Sequence, residues 1–214
     1  MSLWETFLSQ SNPPIYKWAH YFPIYERHFA QHRNRSLTFL EIGVAWGGSA
    51  KMWSKYFGPM TKIIGIDIDP NCKQHECNNI SIRIGDQSDP KFLQSIIDEF
   101  GVPDIVLDDG SHQQNHINST FEFLYPKMDK NSIYMIEDLH TAYWPDWQGG
   151  LTNPNTFINK SKGYIDQLNL DHTKGQLERN PLLDNTFAIS FYDSIAVFEK
   201  GEPYAKKDVW SGND

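Results

Sequence analysis

Residues 37–69, LTFLEIGVAWGGSAKMWSKYFGPMTKIIGIDID, hold the elements that decide the fold. Leu37–Ile42 and Ile63–Ile68 are short runs rich in strand formers and read as buried strands. Between them lies a glycine-rich turn, Glu41–Ser49, and then Gly48–Phe57, which carries Met52, Trp53 and Phe57 at helical spacing and stops at the helix-ending pair Gly58-Pro59. Strand, turn, helix and strand in that order place the two strands side by side and parallel. The alternation continues outward. Ile80–Ile84, Asp104–Leu107 and Ser132–Ile136 read as further strands. Asp89-Pro90 supplies an N-cap and a first-turn proline for a helix that runs to Phe100 before Gly101, and Gln113–Leu124 reads as another helix. The pattern implies a parallel sheet covered on both faces. At the far end, Thr186–Phe191 and Ser194–Glu199 have only Tyr192-Asp193 between them, a gap that permits a hairpin and excludes a crossover helix. The sheet therefore finishes with an antiparallel strand.

A chain of 214 residues with no internal repeat and no long Gly/Ser linker fits one domain. Lys plus Arg is 19 against 27 Asp plus Glu, a net charge of −8, which lacks the general basic footprint of a nucleic-acid binder. No window approaches the ~18 consecutive apolar residues of a membrane span. The first residues, MSLWETFLSQSNPP, lack the basic and apolar regions of a signal peptide. The two cysteines, Cys72 and Cys77, are too few for a disulfide framework and point to a reducing cytoplasm.

In an open parallel sheet, ligands bind beyond the C-terminal strand ends. Gly43, Gly47 and Ser49 lie there, in a turn that lets backbone approach a ligand and leads into a helix N-terminus. The spacing is neither GxGxxG nor a Walker loop, and a structural tight turn is an equal reading of it alone. Glu41 suits a cationic ligand better than a phosphate. Asp67 ends the second strand, 24 residues beyond Gly43, where an acidic side chain can take ribose hydroxyls; its plainer reading is a turn residue or N-cap. Asp86 and Gln87 end the third strand, within reach of an adenine edge.

LEIGVAWGGS, IGIDIDP and IGDQSD resemble the first three motifs of class I S-adenosylmethionine-dependent methyltransferases. DIVLDDGSH (Asp104–His112) and YMIEDLHTAYW (Tyr134–Trp144) narrow the resemblance to the metal-dependent sugar O-methyltransferases of macrolide and aminocoumarin biosynthesis. Small bacterial relatives of these carry the labels rhamnosyl O-methyltransferase or cephalosporin hydroxylase. The resemblance covers roughly residues 15 to 200. It implies a single Rossmann-like α/β domain with a mostly parallel seven-stranded sheet and a C-terminal antiparallel hairpin. The expected boundaries are a helical cap or lid over 1–36, the methyltransferase domain over 37–200 and a tail over 201–214. The cofactors implied are S-adenosyl-L-methionine and Mg²⁺ or Mn²⁺. The partners are a small-molecule sugar or glycoside acceptor, with no nucleic acid and no membrane insertion; a homo-oligomer is compatible. Glu41, Gly43, Gly47, Ser49, Asp67, Asp86, Gln87 and Asp108 are the expected cofactor contacts.

Four carboxylates fall at two adjacent strand ends, Asp108 with Asp109 and Glu137 with Asp138. Parallel neighbours lie about 4.8 Å apart, so both pairs converge on one cleft, and bare carboxylates that close raise one another's pKa or hold a cation. Oxygen ligands suit Mg²⁺, Ca²⁺ or Mn²⁺. The family's pattern matches Asp109, Glu137 and Asp138 to metal ligands, with Asp108 facing the cofactor or orienting its neighbours, and matches His112 of DGSH to the general base, Asp109 also serving catalysis. His112 reads as the start of a helix with His116 one turn on; His140 is the second candidate base. His20, His28, His32 and His172 read as surface or packing residues, and Cys72, His75 and Cys77 as free thiols and a surface histidine near the adenine rather than a zinc site. Ile15–His32 reads as helix broken by Pro23, chiefly a cap on the sheet, with Lys17, His20, Tyr21 and Tyr25 as polar contacts if it is a lid. Tyr143, Trp144 and Trp147, in the long loop Thr141–Asn155, either stack on a sugar or pack on that cap.

The function expected is O-methylation of a sugar hydroxyl on a glycan precursor, nucleotide sugar or glycosylated natural product. Competing readings are a methyltransferase of a catechol or other diol, a dehydrogenase-like dinucleotide binder, and a module that binds S-adenosylmethionine without turnover.

Overall fold

The computed structural model of the chain describes residues 1–202 and 207–212, so the expected tail over 201–214 lies partly outside the described residues. Among these residues seven strands form one sheet: β1 (Thr38–Ile42), β2 (Lys62–Asp67), β3 (Ile80–Ile84), β4 (Ile105–Asp108), β5 (Ile133–Ile136), β6 (Thr186–Tyr192) and β7 (Ile195–Lys200). Their order is β3-β2-β1-β4-β5-β7-β6. Strands β1 to β5 pair in parallel, and β7 runs antiparallel to both β5 and β6. This is the single α/β domain with a mostly parallel sheet and a terminal hairpin expected from the alternation.

Among the described residues six α-helices cover the sheet: α1 (Leu3–Leu8), α2 (Phe22–Phe29), α3 (Gly48–Phe57), α4 (Pro90–Phe100), α5 (Gln114–Leu124) and α6 (Phe157–Leu168). Successive strand residues feed opposite faces, as the pleat requires. Phe39, Ile63 and Ile105 join the core under α1, α2 and α3, whereas Leu40, Ile64 and Val106 join the core under α4, α5 and α6. Trp53 is the centre of the first core, fully buried with Tyr25, Phe29 and Phe39 ring centroids 5.2, 5.8 and 5.3 Å away.

Local chemistry sets the ends. Asp89 caps α4 by accepting from Lys91 N at 2.9 Å, and Gly101 ends it at φ +85°, a conformation favouring glycine. Pro23 does not break a helix over Ile15–His32. It sits in the first turn of α2, where its missing N–H is no loss, after a 3-10 turn at Ala19–Tyr21. The hairpin turn is Asp193-Ser194, one residue later than the spacing suggested, with Ser194 left-handed at φ +64°. Helix α6 is not assigned from the sequence; Thr156 caps it, and Phe157, Ser161 and Tyr164, at helical spacing, are its buried residues. Among the described residues no helix is long and apolar enough to cross a membrane.

Candidate active site

The C-terminal ends of β1, β2, β4 and β5 open into one cavity of about 410 Å³. Its first wall is the turn after β1. Gly43 has φ +90°, and a Cβ there would stand 2.2 Å from the Asp109 carbonyl oxygen, so only glycine fits. The turn is anchored from β2: Asp67 Oδ2 accepts from Val44 N at 2.8 Å and Ala45 N at 3.0 Å, and Oδ1 from Asp69 N at 2.9 Å. Burial works to raise the Asp67 pKa, but these backbone donors prevail and hold the carboxyl below its usual value. Gly48 and Ser49, at the start of α3, also border the cavity, while Gly47 (φ +74°) packs beneath the His75 ring. Cys72 is buried, its thiol 3.3 Å from the Ala45 carbonyl, and burial and Asp67 push its pKa up to about 12.

Glu41 lies under this wall, fully buried. Its Oε1 accepts from Trp53 Nε1 at 3.0 Å, and its Oε2 accepts no hydrogen bond. Burial pushes its carboxyl up to about 7, with Lys17 pulling the other way. Asp86 turns back on its own loop, accepting from Ser88 N and Oγ at 2.8 Å each. Gln87 borders the cavity, yet its amide is engaged: Nε2 donates to Asp108 Oδ1 (3.1 Å) and Thr120 Oγ1 (3.2 Å), and Oε1 accepts from Ser111 N (2.8 Å). Asp108 is buried beside Tyr134, 3.3 Å from its hydroxyl, and desolvation raises its pKa to about 7. It thus orients Gln87, which in turn positions the Gly110-Ser111 backbone.

The opposite wall holds Asp109, His112 and Asp138, and one ligand atom from each lies within 4.8 Å of the others. His112 Nε2 stands 3.8 Å from Asp109 Oδ1 and 3.6 Å from Asp138 Oδ2. The two carboxylate oxygens suit a hard divalent cation such as Mg²⁺ or Mn²⁺, and the imidazole nitrogen beside them is left to serve as a base. Glu137 stands apart from this triad. It is buried, its Oε2 accepts from Lys17 Nζ at 2.8 Å and its Oε1 from the Tyr25 hydroxyl at 2.6 Å. Lys17 also reaches Asp109 Oδ2, and Tyr21 donates to Asp138 Oδ1 at 2.5 Å. The N-terminal segment is therefore both a cap on the sheet and a supplier of polar contacts to the carboxylates.

His112 precedes α5 rather than starting it, left-handed at φ +56°. Its carbonyl accepts from Thr141 Oγ1 at 3.1 Å, and Thr141 Oγ1 also lies 2.9 Å from the carbonyl of Asp138, itself left-handed at φ +54°. Nothing in the sequence singled out Thr141. His116 is not a partner of His112; its Nδ1 pairs with Ser111 Oγ at 2.9 Å. His140 Nδ1 bonds Ser194 Oγ at 3.0 Å, 4.0 Å from Asp138 Oδ1, with its ring against Trp144. Trp147 approaches the His112 ring at 5.9 Å. His28 is buried and meets Tyr192.

No family model matches the chain. Mycinamicin VI 2''-O-methyltransferase of Micromonospora griseorubida is 37% identical over 202 residues, 88% of this chain and 50% of that protein. The 8-demethyl-8-alpha-L-rhamnosyl tetracenomycin-C 2'-O-methyltransferase of Streptomyces olivaceus is 34% identical over 190 residues, 84% of this chain and 50% of that protein. The chain thus spans about half the length of the curated relatives it matches. Among solved structures, the MycE methyltransferase of the mycinamycin pathway, in complex with Mg, SAH and mycinamycin VI, aligns with TM-score 0.84 and 32% identity over 94% of this chain and 54% of its own. Sheet order, cavity and alignment agree, and the chain is a class I methyltransferase domain homologous to those of the macrolide and rhamnosyl sugar O-methyltransferases.

Proposed function

We propose that the chain transfers a methyl group from S-adenosylmethionine to a sugar hydroxyl of a glycosylated small molecule, with the help of a divalent cation. One observation carries this reading: a single cavity runs from Gly43 and Asp67 to Asp109, His112 and Asp138, so a cofactor on the glycine turn would face the acidic cluster directly. Relatives whose names specify sugar O-methylation support the acceptor class. When bound, S-adenosylmethionine supplies an electrophilic methyl, and Mg²⁺ or Mn²⁺ supplies orientation and a lowered hydroxyl pKa.

The chain's own residues do the rest. Gly43, Gly48 and Ser49 offer close backbone approach, and Asp67 shapes the turn for a ribose. Asp109 and Asp138 would hold the cation, with Glu137 as third carboxylate; the Glu137 oxygen bonded to Lys17 keeps a second lone pair. His112 Nε2 would accept the acceptor's hydroxyl proton, and the resulting imidazolium faces Asp109 and Asp138 at 3.8 and 3.6 Å, which stabilise its charge. Vicinal hydroxyls on the sugar fit such a cluster better than a single one, because two oxygens fix which of them faces the methyl. The unpaired Cys72 and Cys77 support a cytoplasmic setting.

The test is methyl transfer from labelled S-adenosylmethionine to two matched rhamnosides, one with a free vicinal diol and one with the second hydroxyl removed. Expected are turnover of the diol with Mg²⁺ or Mn²⁺, loss of turnover in chelator, and a thermal shift with S-adenosylhomocysteine. Full activity in excess chelator rejects the metal role. A shift with NAD and none with S-adenosylhomocysteine rejects the cofactor.

A further inference from the structure

Lys17 places a cation inside the acidic cluster before any metal arrives. Its side chain is 4% exposed, and its Nζ lies 2.5 Å from Asp109 Oδ2 and 2.8 Å from Glu137 Oε2. Two tyrosines of the same segment take two more oxygens, Tyr25 at Glu137 Oε1 and Tyr21 at Asp138 Oδ1. Asp109, Glu137 and Asp138 have three times two oxygens, and four of these are engaged by Lys17, Tyr21 and Tyr25. The other two, Asp109 Oδ1 and Asp138 Oδ2, are the ones that face His112 Nε2. The N-terminal segment thereby leaves two oxygens of the cluster unshared, and Glu137 would reach a cation only through the second lone pair of an oxygen already held by Lys17 or Tyr25.

The charge arithmetic is as specific as the oxygen arithmetic. With all three carboxylates ionised, as a bound cation would require, they carry −3, Lys17 adds +1, and the balance of −2 is what one divalent ion cancels. A buried ammonium held by two carboxylates keeps its proton, so Lys17 is neither a base nor a nucleophile here. Nor is it free to pair with a carboxylate of a cofactor, although it lines the cofactor cavity. We propose that Lys17 is a resident counter-cation, a positioning residue that limits the cluster to one divalent ion and keeps the N-terminal segment latched to Asp109 and Glu137 in the metal-free protein. This rests on the metal-binding reading of the cluster and adds a charge-setting partner to it.

The proposal separates charge from hydrogen bonding. Lys17→Gln keeps a donor and removes the charge; Lys17→Arg keeps both. Mn²⁺ binding to the full chain, read by electron paramagnetic resonance, is the assay, with thermal unfolding in chelator and in Mn²⁺ beside it. Lys17→Gln is expected to bind Mn²⁺ about tenfold tighter or more, because one positive charge a few Å from the ion has gone from a medium of low effective dielectric. It should also unfold earlier than wild type in chelator and regain more on adding Mn²⁺, a pattern that a variant folding only in Mn²⁺ shows in extreme form. Lys17→Arg should bind Mn²⁺ as wild type does, within a few-fold. Wild type that binds Mn²⁺ while Lys17→Gln binds it equally or more weakly, or fails to fold even in Mn²⁺, overturns the counter-cation role and leaves the metal site standing. Mn²⁺ bound by Lys17→Gln and not by wild type supports the role and overturns metal dependence of the reaction. Mn²⁺ bound by neither overturns both.

Discussion

Glu41→Gln isolates a buried charge under the glycine turn after β1. The substitution is nearly isosteric and keeps an acceptor for Trp53 Nε1, 3.0 Å away in the native protein. Burial raises the Glu41 carboxyl from 4.5 to about 7. Between those values the folded chain holds a proton that the unfolded chain has released. Stability supplied by that proton is therefore present below about pH 4.5, falls as pH rises, and levels off above about 7. At about 1.4 kcal/mol per pH unit, the two units between pH 5 and 7 amount to about 3 kcal/mol. Urea unfolding of the metal-free chain at pH 5 and pH 8 measures it, comparing each protein with itself so that Glu137 and Asp108, which are also raised, cancel between variants. Wild type should lose about 3 kcal/mol more than Glu41→Gln over that interval. An equal loss in the two proteins refutes a titrating, desolvated Glu41. The same variant reports on the cofactor. Glu41 Oε2 accepts no hydrogen bond, and its charge, when ionised, is offset only through space by Lys17, so a nearby cationic ligand would gain from it. Glu41→Gln should weaken S-adenosylmethionine, which carries a sulfonium, more than S-adenosylhomocysteine, which does not; equal weakening of both would assign Glu41 to folding alone.

Three further variants test the rest of the site. His112→Ala should lower kcat by ~10²–10⁴-fold with little change in the affinity for S-adenosylhomocysteine, and a wild-type rate alongside an inactive His140→Ala would move the base to His140. Asp67→Ala should weaken the cofactor by about 1.5–3 kcal/mol in calorimetry, because the turn loses the acceptor for Val44 N and Ala45 N; unchanged affinity makes Asp67 dispensable to the turn. Thr141→Val removes the hydroxyl next to the His112 and Asp138 carbonyls and should reduce kcat at nearly constant cofactor affinity, whereas an unaltered kcat shows that the two backbones hold themselves.

Most of the fold was readable because its punctuation is local. Helices α3 and α4 begin and end where Gly47, Gly58, Asp89, Pro90 and Gly101 put them, each by its own dihedral or capping chemistry. Helix α6, FINKSKGYIDQL, is not assigned from the sequence: its apolar residues Phe157, Ile158, Tyr164, Ile165 and Leu168 share one face, but they are diluted among polar residues and follow a long irregular loop. At the site, the carboxylate pairs were visible but their separation was not. Neighbouring strand residues point to opposite faces, so Asp108 turns to Gln87 and Tyr134 while Asp109 turns to the cavity. The partner that draws Glu137 away is Lys17, 120 residues earlier, a pairing that no local spacing encodes.

What remains unreadable from the sequence concentrates at three left-handed residues that are not glycine: Ala45, His112 and Asp138. Such conformations cost of order 1–3 kcal/mol each and persist only where surroundings impose them. Here the restraints are specific. Ala45 is fixed through its N–H by Asp67, and His112 and Asp138 through their carbonyls by Thr141. Each lies on a different strand-end loop, and all three border the same cavity. On the proposed reading the strain lies where the glycine turn, the candidate base and a candidate metal ligand would converge, and Asp67 and Thr141, which hold it, would govern the site without touching the reacting atoms.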